Sequence, residues 1–187
     1  MLKSYGIRLG SVGSKRFSSV VVKQIEKQEK SIVLSITYLL NTFDKVVEEV
    51  EKLDKEVQRL MTIPGVGPVT ALTYKTEIFD PTRFNDSKSV GAYLGMTPKQ
   101  YASGEVQRQG RISKCGSSEL RSLLVEAGIV MLTRSKKWSK LKAWGLKIMR
   151  KKGMKKAALA VGRKLSVIMH KMLIEQKEFI YGEPKAA

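Results

Sequence analysis

Between Ile32 and Leu60 the apolar residues fall at Ile32, Ile36, Leu39, Phe43, Val46, Val50, Leu53, Val57 and Leu60, in alternating steps of four and three. That is the a/d seam of a heptad repeat, with charged residues such as Glu48, Glu51, Lys52 and Lys55 at the positions between. The pattern predicts one helix over about residues 21–61, roughly 60 Å long. A single helix cannot bury such a seam against itself. Either the rest of the chain covers it or a second copy does. The strict 3.5-residue period favours a coiled coil, and so a homodimer or a higher oligomer. Residues 1–20, rich in glycine, serine and basic residues, read as a basic N-terminal arm.

The helical period stops at TIPGVGPVTAL, residues 62–72. Pro64 ends a helix, Gly65 and Gly67 permit a tight turn, and Pro68 suits the first position of the next helix. Helix, turn and helix over about residues 55–78 resemble the helix-hairpin-helix DNA-binding motif. There, glycine amides and a helix N-terminus offer N–H groups to phosphate oxygens. Gly65 and Gly67 are therefore candidate phosphate contacts, although an ordinary helix–helix turn carries the same residues.

Residues 80–98, DPTRFNDSKSVGAYLGMTP, predict a loop and a short helix ending at Gly95. Glu77, Asp80 and Asp86 form an acidic cluster there. Turn chemistry assigns Asp80 to a turn before Pro81 and Asp86 to a helix cap, in preference to a metal site. Residues 96–121 are interrupted by Gly104, Gly110 and Gly116 and predict a loop that bears Ser103. Three helical stretches follow: Ser118 to about Thr133, Trp138 to about Lys151 and Lys155 to about Gln176. Their apolar faces (Leu120, Leu123, Leu124 and Met131; Trp138, Leu141, Trp144 and Ile148; Leu159, Leu165, Ile168 and Met172) predict the core, and both tryptophans read as core residues rather than base-stacking platforms. The expected fold is all-α or mainly α. It has a coiled-coil helix over 21–61, then a compact helical domain over 62–187 with a helix-hairpin-helix and a basic, serine-bearing loop.

Charge narrows the function. The 187 residues hold 35 Lys or Arg against 17 Asp or Glu, a net charge of +18. From Lys99 to Lys171 there are 19 basic residues and three acids, Glu105, Glu119 and Glu126. Self-repulsion of that size is relieved by a polyanion, so nucleic acid is the natural partner. A solvated basic surface is the plain alternative. An anionic membrane surface is a third, but no stretch approaches a spanning length and no secretory signal stands at the start. The candidate contacts are Lys99, Arg108, Arg111 and Lys114 in the serine loop, and Lys151, Lys152, Lys155 and Lys156 where two helices meet. Cys115 and His170 are the single residues of their types. They exclude a disulfide framework and a structural zinc site within the chain and fit a reducing cytoplasm. His170 reads as a packing or surface residue rather than a base, and no metal ligand set is assigned.

Taken in order, IPGVGPVTAL, RF, YLGMTP, YASG, RISKCG, LRSLL and GMKKAALAVGRKL resemble the C-terminal domain of the IS-one-ten family of insertion-element transposases, prokaryotic DNA recombinases guided by a structured bridge RNA. The resemblance covers the whole chain and is strongest from Ile63 to Leu165. It implies a cytoplasmic, nucleoid-associated protein with DNA and a guide RNA as partners, and a coiled coil at Ile32 to Leu60. The family's nucleophilic serine lies in a Tyr-x-Ser-Gly motif, here Tyr101-Ala102-Ser103-Gly104, so Ser103 would attack a phosphodiester while Arg108, Arg111 and Lys114 hold the phosphate. Such proteins carry a RuvC-like domain with an Asp-Glu-Asp-Asp metal site ahead of these elements. The first acid here is Glu26. The expectation is that this chain binds no cofactor itself, needs a separate acidic domain with divalent metal (Mg) for chemistry, and is inactive alone. A non-catalytic coiled-coil module that holds DNA or RNA by charge is the alternative.

Overall fold

The computed structural model describes residues 18, 20–23, 30–103 and 106–182, with side chains described throughout except at 30–32, 50–53 and 101–109. The basic arm over 1–20 lies almost wholly outside the described residues. The chain divides into two compact units, residues 1–54 and 55–187.

The first unit contains the long helix α1 (Lys30–Leu53), and residues 20–23 are helical as well. Its apolar stripe faces solvent. Leu39 is 60 % exposed, Phe43 50 % and Val46 50 %, and Ile36 is half-buried. The side chains of Ile32, Val50 and Leu53 lie outside the described residues.

The predicted single helix over 21–61 is corrected here, because it is interrupted at Asp54. Lys55–Met61 form a separate helix, α2, and the two last seam positions, Val57 and Leu60, are fully buried in the core of the second unit. Those two residues are not part of an open dimerisation seam. Burying them within the chain removes apolar surface from water without a partner, which is enough to set their fate.

The second unit continues with α3 (Pro68–Ile78), a 3-10 turn at Pro81–Arg83, α4 (Ser89–Tyr93), strands β1 (Pro98–Ser103) and β2 (Val106–Ile112), α5 (Ser118–Thr133), α6 (Lys140–Lys152) and α7 (Met154–Glu175). The fold is mainly α, as the periodicity predicts. Helix α7 is its axis and packs against α2, α4, α5 and α6. Two glycines let α5 and α7 approach closely. A Cβ on Gly128 would lie 2.7 Å from the Ala158 carbonyl oxygen, and one on Gly162 would lie 2.8 Å from that of Leu124. Leu120, Leu124 and Met131 from α5 meet Val161, Leu165 and Met169 from α7 in one continuous core. Each large side chain buried there contributes about 1.5–3 kcal/mol.

The helices start where side chains supply acceptors. Ser117 Oγ accepts from the Leu120 N–H at 3.2 Å and Ser139 Oγ from the Lys142 N–H at 3.1 Å. Trp138, expected in the core, precedes α6 and is 39 % exposed. After α7 the chain returns to the α2–α3 turn. Phe179 N–H donates to Thr62 Oγ1 (3.0 Å), the Tyr181 hydroxyl donates to the Thr62 carbonyl (3.0 Å), and Phe179 is buried.

Candidate nucleic-acid interface

Residues 96–121 are not the loop that their glycines suggest. Pro98–Ser103 and Val106–Ile112 pair as an antiparallel hairpin, with Tyr101 opposite Arg108 and Ser103 opposite Val106. Two residues, Gly104 and Glu105, connect the strands and lie outside the described residues. A two-residue connection led by glycine is a hairpin signal, and Gly110 had masked it by interrupting the second strand. Between Gln109 and Ile112 the second strand carries one residue more than its partner, the count of a bulge and a place where glycine is at home.

The root of this ribbon is locked to the helical body by close backbone approach. Ser113 N–H donates to the Thr97 carbonyl (2.9 Å) and Lys114 N–H to that of Gly95 (3.0 Å). Gly95 has φ +66, and a Cβ there would fall 2.2 Å from the Cys115 carbonyl oxygen; Gly116 has φ +71, and a Cβ there would fall 2.4 Å from that of Tyr93. No other residue type fits either place. Arg121 closes the assembly. Its Nη1 donates to the carbonyls of Leu94 (3.1 Å), Cys115 (2.7 Å) and Gly116 (3.0 Å). The sequence reading missed Arg121, which looks like one more surface cation on α5.

Ser103 is the last residue of β1, and its side chain lies outside the described residues. The hairpin brings Ser103, Lys99, Arg108 and Arg111 onto one ribbon, with Lys114 at its root. Lys99, Arg111 and Lys114 are exposed, and the Arg108 side chain is not described. Lys114 holds a φ of +60, a left-handed conformation that costs about 1 kcal/mol for such a residue.

Gly65 and Gly67 sit elsewhere, in the turn between α2 and α3. Gly65 has φ +91, and a Cβ there would meet the Ala127 carbonyl of α5 at 2.6 Å. Packing alone accounts for that glycine. Gly67 caps α3 with extended backbone and no side-chain bond, and Pro68 follows at the first helical position.

Beside the hairpin root runs a groove of about 740 Å3. Pro98 and Ile112, at the foot of the two strands, form part of its apolar floor with Met96, Leu159, Ile168 and Trp144. Five cations rim it: Lys88, Lys156, Arg163, Lys164 and Lys171. Lys164 Nζ stands 4.0 Å from the centroid of the Trp144 ring. The Arg163 stem passes 3.3 Å from where a Gly91 Cβ would be, so the absence of a side chain at Gly91 gives that arginine its seat. Among the described residues, no acid pairs with any of the five. Of this rim, sequence reasoning named Lys156 alone. The signal was available, since Lys156, Ala160, Arg163, Val167 and Lys171 recur at helical spacing along one face of α7.

Lys151 and Lys152 end α6 and Lys155 and Lys156 open α7, all four exposed, with Gly153 between them at φ +81. The first pair complements the negative end of its helix dipole. The second pair opposes the positive end of α7, where the first turn holds no acid. An arriving anion relieves that repulsion.

The acids are occupied in turns. Asp80 Oδ1 accepts from the Thr82 N–H (2.8 Å) and hydroxyl (2.7 Å), and these bonds hold its carboxyl below the usual carboxylate range. Asp86 Oδ1 accepts from the N–H groups of Lys88 and Ser89. Both assignments follow the turn chemistry read from the sequence. Among the described residues, no group of three or more His, Cys, Asp or Glu is placed to hold a metal ion. His170 is buried, with Nδ1 2.9 Å from Ser87 Oγ and Nε2 2.8 Å from the Pro81 carbonyl. A carbonyl only accepts, so Nε2 carries a proton, and the ring clasps the 3-10 turn instead of facing solvent as a base.

A family model described as "Transposase IS116/IS110/IS902 family" matches residues 57–143, from α2 into α6 and across the whole hairpin. Over these residues the chain carries the sequence pattern of that transposase family. The transposase for insertion sequence element IS1111A of Coxiella burnetii is 28 % identical over 197 residues, covering 97 % of this chain and 54 % of the relative. The pilin gene-inverting protein of Moraxella bovis is 30 % identical over 149 residues, 78 % of this chain and 45 % of the relative. The transposase for insertion sequence element IS1328 of Yersinia enterocolitica is 33 % identical over 113 residues, 55 % of this chain and 34 % of the relative. The chain thus spans about half the length, or less, of these relatives. No helix among the described residues is long and apolar enough to cross a membrane.

Proposed function

We propose that this chain is the coiled-coil and serine-bearing part of an insertion-element DNA recombinase. One observation carries the reading: the Tyr-Ala-Ser-Gly motif ends a strand of a basic hairpin, Lys99 to Lys114, whose root is fixed by Gly95, Gly116 and Arg121. A transferring phosphoryl group needs cations fixed around a nucleophile. In this reading the Ser103 hydroxyl oxygen attacks a DNA phosphorus, a phosphoserine bond forms, and the neighbouring deoxyribose oxygen leaves. Arg108, Arg111 and Lys114 balance the charge that develops. A relative named for inverting a gene supports the same class of strand exchange. The turn between α2 and α3 and the lysines at the α6–α7 junction hold DNA through its phosphates, and a guide RNA shares the basic surface.

A serine hydroxyl needs activation. Among the described residues no group of three or more His, Cys, Asp or Glu is placed to hold a divalent metal, and Asp80 and Asp86 each give Oδ1 to turn N–H groups. His170 is engaged at both nitrogens. The chain alone is therefore expected to bind DNA and not to cleave it measurably, and acidic ligands come from a separate domain. Two copies assemble through the exposed stripe of α1.

The test is a denaturing gel on a nicked or bulged DNA substrate, with the chain mixed with an acidic domain from a close relative, divalent metal and guide RNA. Ser103→Ala is expected to abolish the covalent protein–DNA adduct and leave binding intact. An adduct that survives shows a different nucleophile. If no adduct forms with Ser103 present while salt-dependent binding persists, the second reading holds, a non-catalytic coiled-coil module for DNA or RNA. The unneutralised groove rim is the observation that favours it, since holding a polyanion there does not require Ser103.

A further inference from the structure

We infer that the groove between α6, α7 and the hairpin root seats a single-stranded nucleic-acid segment, with bases on its apolar floor and phosphates on its cationic rim. The inference rests on the reading of the chain as a recombinase and names a binding seat which that reading does not require. Three observations carry it. The rim holds Lys88, Lys156, Arg163, Lys164 and Lys171, and the lining contains no acid, so the occupant is an anion of several charges. The floor is apolar, with Met96, Pro98, Ile112, Leu159 and Ile168 beside the indole of Trp144, so the occupant also presents flat apolar surface. The groove is half-open, and its volume, about 740 Å3, is of nucleotide scale.

A duplex satisfies the rim and leaves the floor empty, because its base faces are stacked away inside the helix. A single strand satisfies both at once, which is how strand-binding grooves combine charge with stacking. The rim is also prearranged. The Arg163 stem lies in the space left by Gly91, and Lys164 rests over the Trp144 ring, so neither cation must be gathered on binding. The floor adjoins the root of the hairpin that carries the proposed nucleophile: β1 starts at Pro98 in the groove floor and ends at Ser103, at the far end of the strand. A strand lying in the groove is therefore led to the foot of the serine hairpin. DNA and RNA share the chemistry that the groove recognises, and the test separates them.

Trp144 and Trp138 are the two tryptophans of the chain. In the full chain carrying Trp138→Phe, the emission of Trp144 alone reports on the groove. Titration with oligothymidylate, oligouridylate, an abasic phosphodiester strand of the same length and a duplex is the experiment. Trp144 emission is expected to change with one or both base-bearing strands, which are expected to bind about fivefold or more tightly than the abasic strand. Arg163→Glu with Lys171→Glu, both exposed positions, is expected to weaken single-strand binding about tenfold or more. Lys136→Glu with Lys147→Glu, exposed positions that neither line the groove nor belong to any contact proposed above, removes the same charge and is expected to do so far less. An abasic strand that binds as well as oligothymidylate, a silent Trp144, or equal losses in the two double variants overturns the groove inference while leaving the recombinase reading standing. A chain that binds no nucleic acid of any form overturns both.

Discussion

Helices α1 and α7 are nearly the same length, 24 and 22 residues, and both carry an apolar stripe at helical spacing. Their environments are opposite. On α7, Ala157, Val161, Leu165 and Met169 are fully buried by the chain's own helices. On α1, Leu39, Phe43 and Val46 remain half or more exposed. The stripes also differ in residue size. The α7 seam includes Ala157, Ala158 and Gly162 facing Gly128 on α5, which lets backbones approach until side chains on either side interlock. The α1 seam consists of large residues in a/d steps, a pattern suited to a matching helix rather than a globular core. Periodicity states that a face must be covered. It does not state which chain supplies the cover, since Val57 and Leu60 continue the α1 seam and are buried within their own chain.

That contrast is broken most severely at the α5–α7 crossing. Gly128→Val places a branched side chain where even a Cβ meets the Ala158 carbonyl at 2.7 Å. The expected cost is about 3 kcal/mol or more, read as a lower urea midpoint followed by tryptophan emission. A smaller effect is expected beside it. The Tyr74 hydroxyl, fully buried, donates to the Ser166 carbonyl of α7 at 2.5 Å, and burial pushes its phenol far above the ordinary range. Tyr74→Phe is expected to lose about 1 kcal/mol near neutral pH.

The pH dependence of that site has a definite sign. The unfolded phenol releases its proton near about pH 10, whereas the folded one keeps it. The stabilising contribution is therefore complete below about pH 10 and falls as pH rises above it toward the folded value. Urea midpoints on either side of that pH check this, and Tyr74→Phe is expected to flatten the alkaline part of the decline.

The smallest effect on unfolding sharpens the comparison from the other side. Leu39→Lys on α1 is expected to change the stability of the unit over 55–187 by less than about 0.5 kcal/mol. Sedimentation is the sensitive measurement, with an oligomer expected for the unchanged chain and a monomer for the variant. An unchanged chain that sediments as a monomer removes the coiled-coil proposal.

Much of the helical body was legible from the sequence. Ser118–Thr133 was read with its observed ends because Ser117 supplies a cap and an apolar period follows. The turn roles of Asp80 and Asp86 were legible for the same local reason, a short side chain reaching N–H groups two or three residues on. The hairpin was not, because Gly110 falls inside a strand and strand pairing depends on residues outside any local window. The groove rim was hidden in a charge excess too general to single out Lys88, Arg163, Lys164 and Lys171. The division at Asp54 has only a weak local signal: an aspartate suited to cap the helix that starts at Lys55, set against heptad steps that run straight through Leu53-Asp54-Lys55 with neither proline nor glycine.

By itself the sequence determined the helix-forming stretches, their caps, the basic excess and the position of Ser103 in its motif. These depend on residues within a few places of one another and on side-chain chemistry that folding does not alter. Only the tertiary structure decided that Val57 and Leu60 belong to the core while Leu39, Phe43 and Val46 do not. It also decided that Gly95 and Gly116 lock the hairpin root, and that Lys88 and Lys171 face the same groove. Each of those outcomes depends on which distant backbone comes within a few ångströms, and the choice is settled by packing the whole chain at once.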